Sequence, residues 1–247
     1  MTFINPIISL NIPKVAFRAN TPVYSPSAEP RKDSFNSNPL YSNSTDKSTI
    51  MAVAKSSPEV MNILRENKIP LKVNMKELEE LKRGHLMDTR VMAAKIYSAL
   101  PEEMKSEINL MDLQQAAMLH DYGKVLIPEK ILNKKGKLTS EEKRIMDLHS
   151  ELGYELLKKQ GVNSNVLNMV KYHHQTKDGS GYPEVKGDYT YDLASQILAV
   201  ADKYSALRER RSYKEPMERY EALEIISQDV DDGKISPEIL TALERIA

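Results

Sequence analysis

The sequence of 247 residues predicts an all-α protein, and three observations support this fold class. From about residue 58 onward, apolar residues recur at steps of three, four and seven, which is the period of a helix with one buried face. Residues typical of helix N-termini precede several of these segments. The sequence has no alternating apolar and polar runs bounded by hairpin turns, which would indicate strands.

Residues 1–57 differ in composition from the rest of the chain. Ser, Asn, Pro and Thr make up nearly half of these positions, and no helical period runs through them. Such a segment buries too little apolar surface to offset backbone ordering, which costs about 1–2 kcal/mol per residue. We therefore predict a disordered or loosely docked tail over 1–57. All three Phe lie in it and could anchor a protein partner, although scattered exposed side chains are the simpler interpretation.

The first helices of the folded part follow from their apolar stripes. A connecting helix or linker is expected over 58–75, before a domain predicted over 76–247. The first helix of this domain carries a single inward stripe, formed by Leu78, Leu81, His85, Met92 and Ile96. A second helix is predicted over 111–120, ending at His120-Asp121.

The later helices are indicated by the residues at their N-termini. The predicted starts are a capping box from Thr139 to Glu142, a cap at Asn163 or Ser164, Asp192, Pro216 and Ser236-Pro237. Because Trp is absent and every Phe lies in the tail, we expect an aliphatic core completed by methionine.

Charge and composition exclude several classes of function. The chain has 35 basic and 35 acidic residues, which argues against bulk electrostatic binding of DNA, RNA or a membrane surface. The absence of Cys excludes disulfides, thiolate zinc sites and cysteine nucleophiles. The apolar runs are shorter than a membrane span, and the first residues do not form a signal peptide pattern. We therefore expect a cytoplasmic protein.

The histidines carry the strongest functional signal. All five lie on or beside the apolar faces of predicted helices: His85, His120, His149, His173 and His174. A single inward His is more often a hydrogen-bonded core residue than a ligand. Five of them beside Asp121 and Asp202 would bury charge without a partner unless a cation were present. Nitrogen and carboxylate ligands without sulfur favour divalent Fe, Mn or Zn at a catalytic site.

Two segments carry a resemblance to a known family. His120-Asp121-Tyr122-Gly123-Lys124 resembles the HDxGK signature of HD superfamily phosphohydrolases, and the segment 173–183 is similar to the HHExxDGxGYP signature of HD-GYP domains. The match covers roughly 76–247. The resemblance implies an HD-type helical bundle around a buried dinuclear metal site. It also implies hydrolysis of cyclic di-GMP to the linear dinucleotide by a hydroxide between the two metals, with further cleavage to GMP left open.

The resemblance further implies roles for individual residues. One metal would be held by His85, His120, Asp121 and Asp202. The other would be held by Asp121, His149, His173 and His174. Asp121 and Lys124 would be the catalytic residues, with Lys124 meeting the scissile phosphate. Substrate would contact Lys124, Tyr182, Arg211 and Lys214: the cations at its phosphates, and the ring of Tyr182 as a stacking face for guanine.

Two positions depart from the family pattern. Gln175 stands where the family usually has Glu, and Leu81 stands where some members have a Glu that binds a third metal. We therefore predict two metals. Two alternative functions remain open: an HD phosphohydrolase for another nucleotide, and a catalytically weak nucleotide-binding or interaction module. A protein partner would then bind the loop 178–187 or the N-terminal tail.

Overall fold

The computed structural model describes residues 46–81, 84–185, 191–209 and 215–247, with the side chains of Leu78 and Leu81 excepted. This part of the chain is helical and contains no strand, so the all-α prediction is confirmed. The helices are α1 (Lys47–Ser56), α2 (Pro58–Glu66), α3 (Met75–Leu81), α4 (His85–Ala99), α5 (Glu102–Lys105), α6 (Leu110–Leu119), α7 (Glu129–Leu132), α8 (Ser140–Asp147), α9 (His149–Lys159), α10 (Ser164–Tyr172), α11 (Leu193–Arg208), α12 (Arg219–Asp231) and α13 (Pro237–Ile246). A 3₁₀ segment, Tyr122–Leu126, follows α6.

The helices pack as two connected groups. Helix α4 contacts α6, α11 and α13, while α9 contacts α10, α1, α2 and the 3₁₀ segment. Helix α10 joins the groups because it packs on both α6 and α9. The buried side chains between them are mainly aliphatic, with Met118 and Met169 among them. Among the described helices, none is long and apolar enough to cross a membrane.

Several predicted helix starts are confirmed by hydrogen bonds at the caps. Thr139 and Glu142 form the complete capping box of α8. The side chain of Asn163 accepts from the backbone N–H of the third helical residue of α10, and Asp192 does the same at α11. Each cap satisfies an N–H that has no partner within its own helix.

The start of α12 is later than predicted. The sequence placed it near Pro216, but the helix begins at Arg219 with a capping box between Glu218 and Glu221. The backbone N–H of Met217 donates to the carbonyl of Leu207 at 3.0 Å, which ties this residue to the end of α11. A tertiary contact therefore delays the helix.

The first predicted helix of the domain consists of two helices. Helix α3 ends at Leu81, and α4 begins at His85 with Gly84 as its N-cap residue. Glycine is unfavourable within a helix by about 1 kcal/mol relative to alanine, so Gly84 is a natural place for the chain to stop one helix and begin another. Leu81 and His85 therefore do not share a helix face. The third predicted helix is also divided, into α8 and α9 at Leu148.

The boundary of the predicted tail is too late in the chain. Helix α1 lies within 1–57, and its Ile50 and Ala54 are almost completely buried. Asp46 caps this helix by accepting from the backbone N–H of Thr49 at 2.7 Å. Average composition over 57 residues concealed a short helix with an apolar pair four residues apart. Residues 1–45 lie outside the described part.

Gly123 allows the 3₁₀ segment to approach α9 unusually closely. A Cβ atom at Gly123 would lie 1.9 Å from the carbonyl oxygen of His149 and 2.5 Å from the backbone nitrogen of Gly153. These are backbone atoms of a buried helix and cannot move aside as a flexible side chain would. The contact fixes the segment after His120-Asp121 against the first turn of α9.

We expect Gly123→Ala to destabilise the protein by at least about 3 kcal/mol, because the added methyl group overlaps backbone rather than side chain. The free energy of unfolding, measured by chemical denaturation, checks this expectation. Gly84→Ala is the matched control, since a Cβ atom there meets nothing within 4 Å, and it should change stability by less than about 1 kcal/mol. Equal stabilities of the two variants would contradict the close-approach argument.

Candidate metal centre

Helix ends bring the predicted ligands to one place in the core. His85 and His149 are the first residues of α4 and α9, and His120 directly follows α6. His173 and His174 directly follow α10, and Asp202 lies within α11. The ligand atoms of three sets lie within 4.8 Å of one another: His149, His173 and His174; His85, His120 and Asp202; and His120, Asp121 and His173. The structure therefore places all seven side chains together.

Three of the histidines each make the same kind of hydrogen bond, which orients the ring. The Nδ1–H of each donates to the backbone carbonyl three residues earlier, at 2.9 Å for His120, 2.8 Å for His149 and 2.7 Å for His173. We assign the proton to Nδ1 because a carbonyl oxygen can only accept. Each Nε2 is then left with a lone pair that faces the centre, as in histidines that bind metals.

The Nε2 atoms form a group of acceptors that needs a cation. Nε2 of His120 is buried and, within the described part of the chain, makes no hydrogen bond, although carboxylate oxygens of Asp121 and Asp202 lie 3.5 Å from it. Nε2 of His149 and Nε2 of His173 lie 3.2 Å apart, and both carry lone pairs in the tautomers assigned above. Buried acceptors that face one another are unfavourable unless a proton or a metal ion is shared between them. The residues therefore fit a metal site.

Asp121 lies between the two groups of imidazoles. Its Oδ2 is 3.5 Å from Nε2 of His120, and its Oδ1 is 3.4 Å from Nε2 of His149. Two ligand atoms on one metal with bonds of about 2.0–2.2 Å lie about 3.0–3.5 Å apart, so these distances suit a shared ion on each side. The Nζ of Lys124 also donates to Oδ2 of Asp121, at 2.6 Å.

Asp202 completes the side of the centre that faces α4. Its Oδ1 lies 2.8 Å from Nε2 of His85 and 3.5 Å from Nε2 of His120. The other ring nitrogen of His85 lies 3.8 Å from the Oε2 atom of Glu209. At this distance the carboxylate is not hydrogen-bonded to the ring, but its charge lies close to His85.

The electrostatics of the centre keep the carboxylates charged. Burial alone would raise the pKa of Asp121 and of Asp202. Lys124 and nearby imidazoles hold the pKa of Asp121 well below its usual range, and contacts with the imidazoles of His120 and His85 do the same for the pKa of Asp202. For Lys124, burial opposes the charge, yet the adjacent Asp121 carboxylate raises the pKa above its ordinary value.

Three imidazoles are kept neutral by the same surroundings. Burial lowers the pKa of His149 to about 4 and that of His174 to about 3, and it lowers the pKa of His173 as well. For His120, burial would also lower the pKa, but the carboxylates of Asp121 and Asp202 raise it overall. Neutral imidazole is the form that binds a metal ion.

Gln175 organises the loop that follows the paired histidines. Its buried side-chain amide donates to the carbonyl of Pro183 at 2.9 Å. Its Oε1 accepts from the backbone N–H of Gly181 at 2.8 Å and from that of Thr176 at 2.9 Å. A Cβ atom at Gly181 would lie 2.3 Å from the carbonyl of His174, so only glycine permits this fold of the loop.

Tyr182 packs on the metal centre. Its ring stacks on His174, with centroids 4.7 Å apart, and the ammonium of Lys143 lies over the ring at 4.9 Å from its centroid. Tyr182 therefore helps to hold His174, and stacking of guanine on it stays a prediction. Arg211 and Lys214 lie outside the described residues, as does Gly187 in the loop 178–187.

Sequence reasoning missed two carboxylates near the centre. One is Glu209, which lies behind His85. The other is Glu77 of α3, whose pKa is raised by burial and which interacts electrostatically with Lys124 and Asp121. Leu81 lies one turn before His85 only if one helix is continuous through both positions, and the structure has two helices there. Gly84, which is unfavourable within a helix, is the sequence signal for this break.

A cavity of about 460 Å³ opens beside the centre. The candidate ligands His173, His174 and Asp202 form one side of it. The rest of the wall comes from the residues after His174, from Tyr191, and from α11, α12 and the turn before α13. Its other charged residues are Lys203, Asp229 and Lys234. A ligand in this cavity would therefore contact the metal centre and a charged wall at once.

Comparison with known proteins identifies relatives that are named as phosphodiesterases of cyclic dinucleotides. A Cyclic di-GMP phosphodiesterase of Thermotoga maritima is 38% identical over 152 residues, covering 60% of this chain and 40% of that protein. A Probable cyclic di-GMP phosphodiesterase of Vibrio cholerae is 46% identical over 123 residues, covering 46% of this chain and 28% of that protein. A 3'3'-cGAMP-specific phosphodiesterase 2 of Vibrio cholerae is 42% identical over 107 residues, covering 42% of this chain and 20% of that protein.

The chain thus matches less than half of the length of these relatives. The family model described as HD domain matches residues 60–239, which is well over half of the chain and includes every histidine. This match confirms the resemblance that the motifs indicated, and the chain belongs to the HD domain family.

Proposed function

We propose that this chain is a metal-dependent phosphodiesterase that hydrolyses a cyclic dinucleotide, with cyclic di-GMP as its substrate. The observation that carries the proposal is the convergence of buried imidazole lone pairs and two carboxylates beside an open cavity. The relatives support the substrate class, because their names specify cyclic di-GMP or 3'3'-cGAMP. Release of the linear dinucleotide is the first expected product, and cleavage to GMP would follow at the same site.

We propose two divalent cations as the cofactor, Fe or Mn in preference to Zn. The ligands of one would be His85, His120, Asp121 and Asp202. The ligands of the other would be Asp121, His149, His173 and His174. Bound there, two such ions would lower the pKa of water and neutralise charge on a phosphodiester. Asp121 suits a shared position because its two oxygens face different imidazoles, at 3.5 Å and 3.4 Å.

Lys124 is the residue that we expect to bind the scissile phosphate. Its side chain is 26% exposed, whereas that of Asp121, its partner, is only 2% exposed. The Lys124 side chain therefore borders both the buried centre and solvent, and its ammonium lies 2.6 Å from Oδ2 of Asp121. A lysine provides a point charge that can shift from the carboxylate to a phosphate oxygen without a fixed geometry.

A related cyclic dinucleotide, 3'3'-cGAMP, is the second candidate substrate. The similarity to the 3'3'-cGAMP-specific phosphodiesterase 2 of Vibrio cholerae favours it. The two substrates differ in one base, so we expect the residues that contact this base to discriminate between them. Contacts of Tyr182, Arg211 and Lys214 with substrate stay predictions, as do a protein partner and a cytoplasmic location.

We expect the protein loaded with Mn²⁺ or Fe²⁺ to convert cyclic di-GMP to the linear dinucleotide, as measured by liquid chromatography. His120→Ala should lower both metal content and turnover, the latter by at least about 100-fold, because it removes an inward ligand. Met111→Ala, at an exposed position of α6, is the control and should retain both. A fully loaded protein that leaves cyclic di-GMP and 3'3'-cGAMP uncut would refute the proposed function.

Lys124→Met should keep the metal content and lower kcat/KM by about 100-fold, since it removes a charge from the phosphate without removing a ligand. Steady-state kinetics together with elemental analysis check both expectations. Lys137→Met, at an exposed position, is the matched control and should behave as the unaltered protein. A kcat/KM within threefold of that of the unaltered protein would show that Lys124 does not contact the reacting phosphate.

A further inference from the structure

The cavity beside the metal centre extends along one face of α11. The residues of this helix that line it have helical spacing: Ala199, Asp202, Lys203, Ala206 and Leu207. Asp202 belongs to the metal centre, so the face leads away from the ligands towards α12. The two alanines leave room, and Leu207, Ile235 and Tyr191 give the cavity apolar and aromatic surface. This apolar and aromatic surface can pack against the face of a nucleobase.

One ion pair stands in the wall of this cavity. The ammonium of Lys203 on α11 donates to the carboxylate of Asp229 on α12, and both residues line the cavity. The side chain of Asp229 is only 16% exposed, whereas that of Lys203 is 38% exposed. An exposed ion pair contributes little to stability, and this one brings a donor and an acceptor to a mostly apolar surface. Such an arrangement is suited to polar recognition of a ring.

We propose that the Lys203–Asp229 pair binds the base of the substrate and selects guanine over adenine. This inference rests on the proposed function, because it concerns the base next to the phosphate at the metal centre. Guanine has the acceptors O6 and N7 and the donors N1–H and N2–H₂ along adjoining edges. A carboxylate can accept from both donors at once, while the neighbouring ammonium donates to O6.

Adenine does not match this pair. Its Watson–Crick edge has one amino donor and one acceptor nitrogen, so one carboxylate oxygen would face a lone pair. A bidentate contact with a base discriminates against the wrong base by about 10–100-fold. The pair therefore favours guanine at this position in either cyclic di-GMP or 3'3'-cGAMP, and it disfavours a substrate with adenine only.

The test uses the base as a competitor, so that it does not depend on turnover of a nucleotide. The metal-loaded protein is assayed with bis(p-nitrophenyl) phosphate, a diester without a nucleobase. GMP, IMP and AMP are added as inhibitors. We expect GMP to bind about 10–100-fold more tightly than AMP, and IMP, which has no N2 amino group, to bind about 10-fold more weakly than GMP. Equal inhibition by the three nucleotides would overturn the inference without any variant.

Variants then assign the selectivity to the pair. Asp229→Asn replaces one acceptor by a donor that opposes N2–H₂, so the ratio of the AMP and GMP inhibition constants should fall to about 1. Lys203→Met should lower the same ratio. Asp231→Asn is the matched control on α12, because Asp231 is exposed and does not line the cavity. An unchanged ratio in folded Asp229→Asn and Lys203→Met proteins would overturn the inference.

The outcomes separate this inference from the proposed function. A metal-loaded protein that cleaves neither the simple diester nor cyclic di-GMP refutes the function itself. If the protein cleaves both substrates but is inhibited equally by GMP and AMP, the proposed function stands and the base assignment is refuted. If Asp229→Asn does not fold, the ratio of the AMP and GMP inhibition constants of Lys203→Met decides the assignment to the pair.

Discussion

The rest of the structure depends on the close approach of buried imidazole Nε2 atoms at the candidate metal centre. Nε2 of His149 and Nε2 of His173 lie 3.2 Å apart, and the buried Nε2 of His120 makes no hydrogen bond to any residue that the structure describes. Without cations this arrangement costs free energy, because acceptors are removed from water and receive no donor. Burial of aliphatic side chains elsewhere in the fold must offset this cost. Cation binding would then stabilise the folded protein further, because bound cations would provide partners for the lone pairs of this candidate metal centre.

The same hydrogen bonds that end the helices also aim the ligands. The last carbonyls of a helix have no partner within the helix. His120, His149 and His173 donate from Nδ1 to carbonyls in the last turns of α6, α8 and α10, and so satisfy acceptors that would otherwise remain open. Each bond fixes the tautomer and the ring orientation at once. For these three histidines, the helix end and the orientation of the ring thus depend on the same hydrogen bond.

Sequence predicted the parts of the structure that depend on local rules. The caps at Thr139, Asn163 and Asp192 follow from side chains that bond the next turn, and they are confirmed. The break at Gly84 and the position of Glu77 were missed, because helical spacing places residues only while the helix is continuous. The ion pair between Lys203 and Asp229 was also missed. Its partners lie on different helices, so no local pattern indicates it.

The replacement of Glu by Gln at position 175 bears on the loop rather than on the metal centre. The three hydrogen bonds of the Gln175 side chain go to backbone atoms at positions 176, 181 and 183. One of these bonds requires a donor, and a carboxylate would instead set a negative oxygen against the carbonyl of Pro183. Gln is therefore the residue that satisfies this loop conformation, and the loop in turn holds Tyr182 against His174. This departure from the family pattern therefore fits the loop that packs Tyr182 on His174, a candidate metal ligand.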